Sequence, residues 1–314
     1  MYFPYLRGKQ FELLAIRDFA DDNQNNENIV PIIEPVKRQF NGLNTAFDVL
    51  ISRHIQFAVI LNPKDGDFKH STVSNDIISN LTPLMSNIGS WIPAYIYKNN
   101  PEALLSHANA HEFSNLMIIF PNGVDFTNTK TISFLNNEIV SYIVDGNSKS
   151  RSSRSQLLRL GKNIISLEDS FNTKTKNADY AENEDEFFSE DFAFYNEDGL
   201  YGFADYTTIG KDFIDGGMLP YAIAIHLTYR KSEQQLYVHH FVSDSNFDQS
   251  NIKGKYYEAT QKIEPFYDEN SIVRTPSVEE LIEKASADRY PGLGYIKKLS
   301  IKNHLELINS ILSA

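Results

Sequence analysis

A chain of 314 residues with 41% hydrophobic and 22% charged residues has the profile of a globular protein able to bury a sizeable core. The absence of Cys excludes disulfide frameworks and thiolate metal sites, and a formal charge of −12 argues against broad non-specific binding to nucleic acid. The opening MYFPYLRGKQFELLA lacks the basic start and apolar core of a secretory signal, and no apolar run approaches the roughly 18 residues of a membrane helix. These features predict a cytoplasmic protein with no membrane partner.

In chain order, short apolar runs alternate with helical patterns. Tyr2–Arg7 reads as a strand with a basic tip, Arg7-Gly8-Lys9, followed by helical spacing over Phe11, Leu14, Ala15, Asp18 and Phe19. Ile29–Val36 is near-continuously apolar, as a parallel strand covered on both faces would be. An amphipathic helix is predicted over Asn41–His54. The unit then repeats. Strands are predicted at Gln56–Leu61, Trp91–Tyr97, Leu116–Phe120, Glu138–Val144, Asn163–Leu167 and Leu200–Tyr206. Helices are predicted at Ser71–Asn87, Pro101–Ala110, Thr129–Asn137 and Ser152–Leu160. After Asp169 the rhythm breaks. Residues 172–199 form a long acidic insertion, residues 219–242 an antiparallel hairpin, and residues 277–312 a helical tail.

Eight strands separated by helices imply right-handed crossovers and a parallel sheet. Eight such units close into a single (β/α)8 TIM-like barrel of the α/β class, with the hairpin and tail as additions to one domain over residues 1–314. The alternative is an open doubly wound sheet. Its glycine-rich turn after the first strand is missing, since Arg7-Gly8-Lys9 is not GxGxxG.

MYFPYLRGKQFELLAIRDFA, IVPIIEPVK and the segment Ile60–Phe68, ILNPKDGDF, resemble the opening of the phage beta protein family, whose relatives are scattered through bacterial genomes. The resemblance implies a TIM-barrel-like protein with a role in phage–host conflict or phage defence. It carries over no catalytic motif. It marks Arg7, Lys9, Glu34 and Asn62 as lying in the recognisable segments.

Working groups of such barrels sit at the carboxyl ends of the strands. Those ends supply Arg7, Glu34, Asn62, Tyr97, Asn122, Asp145, Glu168 and Asp205. Alternation along strands sharpens the choice. Small polar residues suit a barrel interior better than a face covered by apolar helices, so Ser141 and Ser166 predict that Asp145 and Glu168 point inward, as Glu34 does. Glu34, Asp145 and Glu168 are the candidate catalytic carboxylates, as general acid and base or as oxygen ligands of a hard cation such as Mg²⁺. Arg7, Lys9 and Lys37 would hold an anionic small molecule or a phosphodiester, with Asn62, Tyr97 and Asp205 lining the same mouth. The competing structural reading is an internal ion-pair network, Glu34 with Arg7 or Lys37. The competing functional reading is a non-catalytic component that binds a partner protein, for which an acidic chain suits a basic surface.

The histidines carry less. His239 and His240 point to opposite faces of a strand, so a zinc pair would take His226 with one of them and lacks an obvious third ligand. His54, His70, His107, His111 and His304 read as surface residues. The basic stretch at 148–154, SKSRSSR, and the run Lys253–Tyr257 are local places for phosphates, the first without aromatics for base stacking. Walker A, HExxH and GxSxG motifs are absent. In the insertion, the aromatics Phe187, Phe188, Phe192, Phe194 and Tyr195 are too apolar for a free tail, and the period of Phe187/Phe188, Phe192 and Tyr195 predicts a short helix that either covers the mouth as a lid or replaces the seventh barrel helix on the outside.

Overall fold

The computed structural model describes residues 1–69, 75–147, 150–216 and 219–314. The chain forms two compact units. One comprises Met1–Asp169 with Phe194–Tyr206, and the other Ser170–Ala193 with Thr207–Ala314.

The first unit is the barrel. Its strands are β1 (Tyr5–Leu6), β2 (Ile32–Ile33), β3 (Phe57–Ile60), β4 (Trp91–Ile96), β5 (Leu116–Phe120), β6 (Val140–Asp145) and β7 (Asn163–Glu168). After β8 (Asp185–Ser189), which belongs to the second unit, β9 (Gly202–Asp205) completes the set. They pair in the order β1-β2-β3-β4-β5-β6-β7-β9, every pair parallel. The ring closes through Tyr2, which bridges both Ile29 and Phe203, and through Phe3, whose N–H donates to the Phe203 carbonyl at 2.8 Å. The α/β barrel expected from the strand–helix rhythm is therefore present.

A single apolar cluster takes alternating residues from all eight strands and none from the helices: Tyr5, Ile32 and Ile60 near the start, and Tyr142, Leu167 and Tyr206 near the end. That cluster is the barrel interior, filled with side chains as small barrels are. The opposite parity of each strand meets the helices α1 (Gln10–Asp22), α2 (Asn41–Ser52), α3 (Asn75–Asn80), α4 (Thr82–Met85), α5 (Pro101–Ala110), α6 (Thr129–Leu135) and α7 (Arg151–Leu158). The α2 helix buries Leu43, Ala46, Phe47 and Leu50 at helical spacing, and Phe47 stacks on Phe57 at 5.1 Å. Complete burial of such a ring stabilises by roughly 3 kcal/mol. One helix predicted over Ser71–Asn87 is instead two short ones. Leu81 leaves helical geometry and Pro83 falls in the first turn of the new helix, where a residue without an N–H is tolerated. Residues 70–74 of that prediction lie outside the described set.

The second unit is a three-stranded antiparallel sheet with helices. The predicted hairpin is formed by β10 (Ala224–Ser232) and β11 (Gln235–Val242), paired from Ala224↔Val242 to Ser232↔Gln235, and β8 adds to its other edge. A one-turn α8 (Asp191–Phe194) follows β8. After the hairpin come α9 (Ile252–Thr260), α10 (Ile263–Glu269), α11 (Pro276–Ser286) and α12 (Leu293–Leu312). Ile225, Leu227 and Phe241 of the sheet share a core with Tyr256, Ile263, Leu281 and Leu299 of these helices.

The helix predicted for the aromatic end of the insertion is corrected. Asp185–Ser189 alternates, with Glu186 and Phe188 buried and Phe187 exposed, so the period is two and the segment pairs with β11. Phe187 meets Tyr237 and Phe188 meets His304, both within the second unit. Tyr195 joins the barrel unit, where it packs on Phe203, on the parity that faces away from the interior. Only Phe192 and Phe194 of the predicted set lie in a helix, the one-turn α8.

Candidate functional site

The inward parity of the first strands continues past their ends. Tyr5 leads to Arg7, Ile32 to Glu34, Ile60 to Asn62 and Ile96 to Lys98. These side chains gather at one side of the carboxyl-end mouth. Glu34 is fully buried. Its Oε2 accepts from the Tyr5 hydroxyl at 2.6 Å, and its Oε1 accepts from the backbone N–H groups of Lys64 at 2.7 Å and Asp65 at 3.3 Å. The carboxylate thus fixes the loop after β3 to the end of β2. Arg7, 3% exposed, reaches Asp65 Oδ2 at 3.5 Å and lies over the Tyr206 ring at 5.3 Å. Its N–H donates to Glu12 in the first turn of α1, which sets the turn through Gly8. Asn62 clamps the end of β4, donating to the Ile96 carbonyl and accepting from the Ile96 N–H, both at 2.8 Å.

Burial pushes the Glu34 carboxyl above its ordinary range, and the Asp65 charge adds to this. The hydrogen bonds from Tyr5 and the Lys64 N–H pull the other way. Lys98 moves downward. Loss of hydration is the main cause and the charge of Lys64 assists, against the attraction of Glu34 and Asp65. Burial raises Tyr5, whose hydroxyl also faces the Glu34 charge. Burial thus shifts the acid up and the amine down at the same mouth.

The other predicted groups fall elsewhere. Lys9 stands at the N-cap of α1, and Lys37 lies on the exposed rim, 3.7 Å from Asp67. Tyr97, Asp145, Glu168 and Asp205 have the outward parity. Tyr97 bonds Thr131 of α6 at 2.8 Å. Asp205 accepts from the Tyr2 hydroxyl at 2.6 Å. Asp145 accepts from the Val124 N–H at 3.0 Å, and is raised chiefly by burial and also by the Glu168 charge.

The inward placement of Asp145 and Glu168 is therefore corrected, and the reasons are physical. Leu116 and Met117 of β5 pair with Val140 and Tyr142, so Ser141 is an extra residue of β6 at a bulge. Beyond it Tyr142 and Val144 fill the interior and Asp145 faces out. In β7 the interior takes Ile165 and Leu167, leaving Ser166 and Glu168 outside. The barrel is packed with large apolar side chains, so small polar residues were a poor guide to its inside. Sequence reasoning missed Lys64, Asp65, Lys98 and Tyr206. For Lys98 and Tyr206 the signal was available as parity, two residues beyond Ile96 and Ala204.

Of the three carboxylates considered as Mg²⁺ ligands, Asp145 and Glu168 leave their strands on the opposite parity from Glu34. Both Glu34 oxygens already accept hydrogen bonds and Asp65 faces Arg7. Among the described residues no three His, Asp or Glu side chains converge as metal ligands. His226 and His240 meet Nδ1 to Nδ1 at 2.8 Å, and His239 stacks on Phe266 at 3.8 Å, so the zinc pair gains no third ligand. His107 and His304 are buried rather than superficial, bonded to Tyr95 at 2.8 Å and Thr228 at 3.0 Å. His70 lies outside the described residues. Within the basic stretch, Ser148 and Lys149 also lie outside them, and Arg154 pairs with Asp198 at 2.6 Å. Lys253 pairs with Asp288 at 3.0 Å, and Lys255 is buried against Asp248.

Fold and site together define an α/β barrel whose carboxyl-end mouth carries a buried acid, a buried guanidinium and a solvent-facing amine. Compared with known proteins, the chain matches no family model and no curated sequence. No helix among the described residues is long and apolar enough to cross a membrane.

Proposed function

We propose that this mouth binds a small carboxylate- or phosphate-bearing molecule and catalyses proton transfer on it. The carrying observation is the convergence of Glu34, Arg7 and Lys98 from neighbouring strands on one inward register. Lys64, half-buried, and Lys98, exposed, present positive charge to an anion from above. Arg7 supports it from the floor of the mouth, held in place by Asp65 and Tyr206. Glu34 holds its proton more readily than a solvated carboxyl and supplies the acid. On this reading the protein is a cytoplasmic barrel enzyme serving phage–host conflict, the role the family resemblance implies.

The test is thermal unfolding with inorganic phosphate or glyoxylate at low ionic strength. A ligand at 100 times its Kd stabilises by about 2.7 kcal/mol. The Lys64→Gln/Lys98→Gln double variant changes two residues at least partly open to solvent and should fold, yet lose that stabilisation. Equal stabilisation of parent and double variant, or none in the parent, sinks the reading.

A further inference from the structure

Lys98 differs from the other cations of the mouth in what surrounds it. Arg7 is fixed by an ion pair and a ring, and the Lys64 main chain is tied to Glu34. Lys98 sits two residues past β4, on the register of Ile92, Ala94 and Ile96. Asn99, in the left-handed region at φ 56°, then turns the chain into α5. The Lys98 side chain stays open to solvent and feels Glu34, Lys64 and Asp65 as neighbouring charges. A primary amine is thereby set beside a buried acid, with a guanidinium on the floor of the same mouth.

We propose that Lys98 is a nucleophile that forms an imine with a small anion bearing a carbonyl group, such as a 2-oxo acid. This rests on the reading of the mouth as an anion site, and names its substrate class. The lone pair of Nζ attacks the carbonyl carbon to form the C–N bond, and a proton passes from nitrogen to oxygen to give the carbinolamine. The C–O bond then breaks, the departing oxygen takes a proton from the Glu34 carboxyl and leaves as water, and an iminium remains. No electron changes hands. Attack needs the unprotonated amine, and the surroundings of Lys98 favour that form below its ordinary 10.5. An iminium beside Glu34, then ionised, and Asp65 is an electron sink compensated by charge, so the anion's neighbouring C–H or C–C bond is the one activated.

The full chain is incubated with glyoxylate and sodium cyanoborohydride at neutral pH, and the alkylated lysines are mapped by peptide mass. Burial favours the neutral amine at Lys98, so Lys98 should be trapped measurably faster than Lys64. Lys98→Arg should abolish that adduct and keep the circular dichroism of the parent. If Lys98 is labelled no faster than Lys64 while glyoxylate still stabilises the parent against heat, the imine falls and the anion site stands. If neither labelling nor stabilisation is seen, both fall.

Discussion

Glu34 and Asp145 are both buried carboxylates at the carboxyl ends of barrel strands, and both are raised chiefly by burial. They differ in the side of the strand they leave from. Glu34 continues the interior register and shares the mouth with Arg7 and Lys98. Asp145 leaves on the outward parity, where it accepts the Val124 N–H and fixes the loop after β5. Strand-end position does not make a carboxylate functional in a barrel. Both carboxylates fix a loop, and parity decides which of them also faces the mouth.

The largest effect should come from Gly66, because the inner region depends on how two loops are stitched. Gly66 lies at φ +60°, and a Cβ there would stand 2.1 Å from the Val36 carbonyl oxygen. Beside it the Asp67 N–H donates to that same oxygen at 2.9 Å. Gly66→Ala adds left-handed strain and a backbone clash that no rotamer relieves, together costing about 3 kcal/mol. Chemical denaturation should show that loss. Anion-induced stabilisation should fall with it, since the loop carrying Lys64 and Asp65 must shift.

The next effect separates the two carboxylates by pH. A carboxyl raised on folding contributes stability that is fully present below its unfolded value, 4.5 for Glu34 and 3.8 for Asp145, and is lost as pH rises through the folded value. An amide removes that loss. Glu34→Gln and Asp145→Asn should therefore each gain on the parent as pH rises above those unfolded values. The amide oxygen that Glu34→Gln introduces can still accept from the Lys64 and Asp65 N–H groups, and that of Asp145→Asn from the Val124 N–H. The comparison rests on a second readout. Glu34→Gln should slow the trapping of glyoxylate at Lys98, whereas Asp145→Asn should leave it unchanged. Equal slowing by both variants would break the distinction between inner and outer ends.

How much of this was legible in the sequence follows from the same parity. The alternation of apolar runs and helical spacing was enough for the barrel, because parallel strands buried on both faces leave a continuous apolar trace. Arg7, Glu34 and Asn62 were legible because β1 to β3 are regular. Asp145 was not, because the extra residue Ser141 is visible only once Leu116 and Met117 are paired with Val140 and Tyr142. Lys98 was passed over for its neighbour Tyr97, which ends the apolar run but turns outward to Thr131. The strand at Asp185–Ser189 was hidden by aromatics whose spacing also suits a helix. Its partner β11 lies some 50 residues on, at Gln235–Val242, and only that pairing decides the period.

The smallest effect concerns the rim. Lys37 lies in the recognisable segment IVPIIEPVK and is the predicted partner of Glu34 or of an anion. It stands instead 3.7 Å from Asp67, with both side chains more than two-fifths exposed. Water screens such a pair, and holding two flexible groups together costs side-chain entropy, so exposed pairs stabilise by about 0.5 kcal/mol or less. Asp67 keeps its stronger tie in any case, accepting from the Arg38 N–H at 2.9 Å. Lys37→Ala should accordingly move the denaturation midpoint barely, and salt at about 0.5 M should erase the change. Phosphate-induced stabilisation should match the parent, because the cations of the mouth remain. A loss as large as that of the Lys64/Lys98 double variant would place the anion on the rim, and the inner register would no longer mark the site.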